Sequence, residues 1–274
     1  MKNLALLLFL VVSPALLAQD FEGSITWDIK ATIKDPQMKA QMEQAQKQMS
    51  DPATQKQMKE MQEQMSNPQF KAMMESNPQM KAQMERMMAM AQGGNVNDII
   101  PKGMMVKIKS GNSLTKMEGG MLGGEILYLK DKAESYHIDR ENKIYSVLGK
   151  KNEDNMSSKA TVTRTGESQK ILDYTCYQYK VEIQDNGKAL TQWIWATPEI
   201  KGIDMNGFST TDGRGNRTSS YFKEIEGLPL KMELKMPEMD MAWEATSVKK
   251  EKLPATDFAV PSGFKEVKGM FGPR

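Results

Sequence analysis

Sulfur is the chemical resource that this sequence concentrates most in one segment. Thirteen of its 25 methionines fall between Met38 and Met90. They recur at helical spacing, as Met38, Met42 and Met49; Met58, Met61 and Met65; Phe70, Met73 and Met74; Met80, Met84, Met87 and Met88. Side chains three, four and seven residues apart share one helix face. Thioethers on flexible stems make adaptable apolar surfaces that accept varied partners, and they are soft ligands suited to Cu(I). Three readings stay open. The stripe packs against itself or a neighbouring sheet; or it lines a groove or lid for an apolar ligand, through Met58, Met61, Met65, Phe70, Met73, Met80, Met84 and Met87. Alternatively, Met58, Met61 and Met65, or Met236, Met239 and Met241, offer three sulfurs to one Cu(I) ion.

The other groups that carry chemistry are scarce. His137 is the only histidine, so a nucleophilic triad or a histidine zinc site is nearly excluded. Cys176 is the only cysteine, so no intramolecular disulfide forms. Carboxylates are plentiful, yet no spacing singles out a hydrolytic pair. Asp212-Gly213-Arg214-Gly215-Asn216 is too short and wrongly flanked for a phosphate loop and reads as a turn. With 37 basic against 35 acidic residues the chain is near neutral, which gives no electrostatic case for nucleic acid. The expectation is a protein that is not an enzyme and needs no cofactor. Trp193 and Trp195 share a face by period two and are the remaining candidates for apolar ligand contact.

Elements of two kinds must position these residues. Lys2, the apolar run Leu4 to Val12, Ser13-Pro14 and Ala18 read as a cleavable signal peptide over residues 1–18, with maturation near Gln19 and a periplasmic or secreted destination. The run is too short to span a membrane, and no lipobox cysteine follows it. From Phe21 to Ile33 apolar and polar residues nearly alternate, which predicts a long strand with one buried face. At Asp35-Pro36 the pattern becomes helical and stays so to Gln92. Asp35-Pro36, Asp51-Pro52, Asn67-Pro68 and Asn77-Pro78 each place an N-cap side chain before a proline that needs no N–H, so each should open a helix. Such short helices are stable only if an apolar face docks.

After Gly93-Gly94 the strand period returns, with runs at Met105–Lys109, Ser113–Met117, Glu125–Leu129, Glu134–Ile138 and Ile144–Leu148 separated by turn residues, an antiparallel meander. Further runs fall at Thr161–Thr165, Tyr177–Ile183, Ala189–Ala196, Leu230–Lys235 and Ala242–Lys249. Asp185-Asn186-Gly187 makes the middle two a hairpin. The Gly- and Asp-rich stretch from Lys201 to Thr218 has no readable period.

Several stretches carry a resemblance: Tyr136-His137-Ile138-Asp139 with Ile144-Tyr145, Ile171-Leu172-Asp173-Tyr174-Thr175-Cys176-Tyr177-Gln178-Tyr179, Trp193-Ile194-Trp195-Ala196-Thr197, Gly227-Leu228-Pro229-Leu230 and Phe258-Ala259-Val260-Pro261-Ser262-Gly263-Phe264. In this order they resemble an exported bacterial domain-of-unknown-function family of DUF4412 type, related in pattern to the LolA-like and LppX-like periplasmic carriers. The resemblance implies a curved antiparallel half-barrel that holds an acyl chain or other apolar group under a helical lid. Met65-Ser66-Asn67-Pro68-Gln69-Phe70 and Ser76-Asn77-Pro78-Gln79-Met80 resemble the Asn-Pro repeats of STI-type co-chaperone domains.

The expected fold is therefore α+β: a LolA-like curved antiparallel sheet, one domain over residues 19–274, interrupted by a Met-rich helical insertion over residues 36–92. The expected function is non-catalytic binding of a lipid, lipoprotein or other apolar partner. Cu(I) buffering, or a structural envelope role with self-association through the Met-rich helices, are the alternatives.

Overall fold

The computed structural model describes residues 20–65, 67, 101–119, 124–150, 159–185, 188–205 and 220–267. The expected signal peptide, and the body of the helices expected after Asn67-Pro68 and Asn77-Pro78, lie outside the described residues.

Twelve strands form one sheet. They are β1 (Gly23–Ile33), β2 (Gly103–Lys109), β3 (Asn112–Glu118), β4 (Glu125–Leu129), β5 (Glu134–Asp139), β6 (Ile144–Lys150), β7 (Lys159–Ile171), β8 (Tyr174–Asp185), β9 (Lys188–Thr197), β10 (Leu228–Lys235), β11 (Met239–Lys250) and β12 (Lys265–Glu266). Their order is β12-β6-β5-β4-β3-β2-β1-β11-β10-β9-β8-β7. Most neighbours are sequential hairpins, as the meander pattern requires. Between β2 and β3 the two loop residues Ser110 and Gly111 both take positive φ, at 52° and 79°, the backbone that matches a two-residue turn to the strand twist. Two joins are not sequential: β1 lies between β2 and β11, and the two-residue β12 runs parallel to β6.

The α+β expectation is corrected by this sheet. The described chain is dominated by strand, the sheet is open rather than closed, and it is mixed rather than purely antiparallel. It is not a LolA-like half-barrel with a helical insertion as its second layer. Among the described residues the α-helices are α1 (Pro36–Ser50) and α2 (Pro52–Met65). Their starts follow the capping logic: the Met38 N–H donates to Asp35 Oδ1 at 2.6 Å and the Ala53 N–H to Asp51 Oδ1 at 2.8 Å. The physical reason for the correction lies in composition. Glutamine, lysine and glutamate leave most of the two helices exposed, Met38 included, and only Met42, Ala45 and Gln46 within the described side chains of α1 are half-buried. Such faces cannot supply the apolar area that a covering layer needs.

Loops cover the sheet instead. Cross-strand partners share a face, so Ile194, Met232, Trp243, Ile29 and, alternating along β1, Trp27 with Met104 lie on one side. That side is buried by Ile200 and by a 3-10 turn over Ser220–Glu224 with its successor Ile225. On the other side Leu114, Leu127 and Tyr136 stand in a row across β3, β4 and β5 and are buried by Leu253 and Phe258 of the C-terminal segment. The sheet thus has its cover on one face at one half and on the opposite face at the other.

Candidate functional site

Where the loop after β9 meets the 3-10 turn, an open groove of about 790 Å³ forms. Its apolar wall is Pro198, Ile200, Ile203, Met205, Phe222 and Ile225. Its rim mixes three cations, Lys130, Lys201 and Lys223, with three anions, Asp20, Asp204 and Glu226.

Several specific contacts shape the groove. The Phe21 N–H donates to the Lys201 carbonyl at 2.9 Å, tying the loop to the chain just before β1. The Tyr128 hydroxyl donates to Asp204 Oδ2 at 3.1 Å, fixing the loop over β4. Gly227 takes φ +92° beside the Thr197 carbonyl, where a Cβ would overlap backbone; only glycine lets the turn approach β9 this closely. Beneath the turn, the Tyr221 hydroxyl donates to Gln192 Oε1 at 2.7 Å in a buried setting, and burial raises the Tyr221 pKa. Glu226 meets Arg164 at 3.8 Å. A wall of aliphatic and aromatic carbon with a rim of both charges suits reversible binding of an amphiphile. Among the described residues no three His, Cys, Asp or Glu side chains gather as a metal site.

Residues 83–264 match the family described as a domain of unknown function (DUF4412). The chain belongs to the DUF4412 family. The match takes in β2 to β11 and all of the groove except Asp20, and it leaves out β1, which lies at the middle of the sheet. No curated protein matches the chain. The chain is similar to the solved structure of PNGF-II at 19% identity and a TM-score of 0.38. It covers 61% of this chain, and the chain spans 28% of that structure.

The described candidates from the sequence are not part of this groove in the DUF4412 member. Met58, Met61 and Met65 are on α2, where their side chains are not among those described; Phe70, Met73, Met80, Met84 and Met87 lie outside the described residues. Trp193 and Trp195 are half-buried on β9, alternating with buried Gln192, Ile194 and Ala196 and so facing away from the turn that walls the groove. Their cross-strand neighbours are charged or polar: Lys180 and Glu233 beside Trp193, Gln178 and Lys231 beside Trp195. The Lys231 ammonium lies 5.3 Å from the Trp195 ring centroid, a cation–π contact.

Met236 stands at the β10–β11 turn, where its N–H donates to the Met239 carbonyl at 3.0 Å. Met239 and Met241 alternate along β11 opposite Ile33 and Ala31, and Met241 packs on the core beside Trp243. None of the described candidates lines the groove. His137 is buried opposite Ile126 and Ser146. Cys176 is fully buried, and burial, followed by the nearby Glu199 carboxylate, pushes its thiol up to about 11, which makes it a poor nucleophile.

The groove residues themselves went unread because a loop has no period. One signal was present: Ile200 stands just before the Gly- and Asp-rich stretch from Lys201 to Thr218, and Ile203, Met205 and Phe208 interrupt it. Apolar side chains in a loop must be buried somewhere, so such a loop lies across a surface instead of projecting from it.

Proposed function

We propose that this DUF4412 member is an exported, non-catalytic binding protein for a lipid, lipoprotein or other apolar partner, with the groove between the post-β9 loop and the Tyr221–Phe222 turn as its site. The observation that carries the reading is the groove's composition: six apolar residues in a cleft of about 790 Å³, within the range of about 300–1,000 Å³ typical of ligand pockets. The mixed rim favours a ligand whose polar end carries both charges, since either sign alone would meet repulsion as well as attraction. Export is supported by the N-terminal run Leu4 to Val12 behind Lys2.

Native mass spectrometry of the unperturbed protein, with an environment-sensitive dye as competitor, tests this. The expected result is co-purifying lipid or saturable dye binding that Ile203→Glu or Phe222→Glu weakens at least tenfold. Recovery of no lipid, together with dye binding that neither substitution changes, would overturn it.

A further inference from the structure

The last strand of the sheet, β7, is paired on one side alone among the described residues: β8 lies on its inner edge and no strand on its outer one. At 13 residues it is the longest strand of the sheet, and its N-terminal part, Ala160-Thr161-Val162-Thr163, holds three β-branched residues and no proline or charge. An edge of this kind is a template for another strand, and proteins normally blunt it with inward charges, proline or bulges. Here the register irregularity falls only later, between Arg164 and Ser168. The opposite end of the sheet is treated differently, because β12 covers Ile144 and Tyr145 of β6.

We infer that β7 is a dimerisation edge whose occupant is the β7 of a second copy of this chain, paired antiparallel about Val162. In that register Val162 stands opposite itself, Thr161 opposite Thr163 and Ala160 opposite Arg164. Threonine pairs are favourable cross-strand neighbours, and no like charges meet. Arg164, the one cation in this tract, is drawn back over its own subunit: its guanidinium lies 4.2 Å from the Tyr177 ring centroid and 3.8 Å from Glu226. The small Ala160 leaves room opposite it. Ala160 and Val162 are only partly buried against the cluster around Tyr179, Ile194 and Tyr221, and a second copy would extend that apolar face across the two-fold axis. Pairing of identical edges closes at two copies, so it yields a dimer and not a fibre. The tract is short, so the dimer is concentration-dependent. The inference does not depend on what fills the groove.

Light scattering of the full chain over about a hundredfold range of concentration reads the mass directly, and the expected value rises from one chain to two. Thr161 and Thr163 are exposed, so the fold tolerates changes there. The T161K/T163K chain and the T161E/T163E chain should each stay monomeric, and a mixture of the two should recover the dimer. Hydrogen exchange of the parent provides a second measure that needs no substitution, with slowing at high concentration confined to residues 160–164. A parent that stays monomeric, a T161K/T163K chain that dimerises as the parent does, or a mixture that fails to pair would each overturn the inference.

Discussion

Lys109 donates from its ammonium to Glu22 Oε1 at 2.8 Å, joining the end of β2 to the residue just before β1. The same oxygen accepts the Leu253 N–H at 2.7 Å across a separation of 231 residues. One carboxylate therefore holds the start of β1, the end of β2 and the start of the C-terminal cover in register. Lys107 repeats the device with Asp257 at 2.7 Å.

The Lys109 ammonium, then the Leu253 N–H, hold the Glu22 carboxyl below its ordinary value. A carboxylate with a lower pKa folded than unfolded stabilises the fold fully above the unfolded value and loses that contribution as pH falls through the folded one. Glu22→Gln should therefore lower the urea midpoint at neutral pH, and the gap from the parent should close in acid. A gap that stays constant from neutral to acid pH would show that the stabilisation does not come from the Glu22 charge.

Tyr221→Phe leaves Gln192 Oε1 buried without the donor it now has. An orphaned buried acceptor costs about 1–3 kcal/mol, and equilibrium urea unfolding should show that loss. Because the hydroxyl points beneath the turn, dye affinity of the groove should change less than stability does.

Gly227 and Gly166 both take positive φ, at +92° and +90°, yet only the first is crowded. Gly166→Ala meets open space and should cost only the left-handed backbone penalty of about 1–2 kcal/mol. Gly227→Ala adds a clash with the Thr197 backbone and should destabilise markedly more. Thermal midpoints of the two variants compare the costs, and equal midpoints would refute the crowding argument.

Cys176, with its thiol pushed up to about 11 and no exposed surface, should resist a thiol reagent at pH 8 in the native protein and react readily in urea. Rapid native labelling would mean that β8 opens far more easily than its place between β7 and β9 allows.

Local chemistry carried much of the fold into the sequence. Near alternation from Phe21 to Ile33 corresponds to β1, and the runs from Met105 to Lys249 fall within β2 to β11, although β7 extends well beyond Thr161–Thr165. The Asp-Pro pairs are helix starts because capping involves only the next few residues. β12 escaped because two residues show no period. The groove escaped because its wall comes from a loop and a 3-10 turn and its rim includes a residue before β1, parts related only through the sheet they lie on.

The sequence by itself determined where the longer strands lie, where the described helices begin and which residues alternate inward, since period, caps and turn residues act over a few positions. Tertiary structure alone decided that β1 sits between β2 and β11, that among the described residues the sheet stays open with β7 as its edge, and that the loop after β9 and the C-terminal segment lie across its faces. Those outcomes depend on which apolar faces meet across up to hundreds of residues. That competition is settled by total buried area, which no single segment encodes.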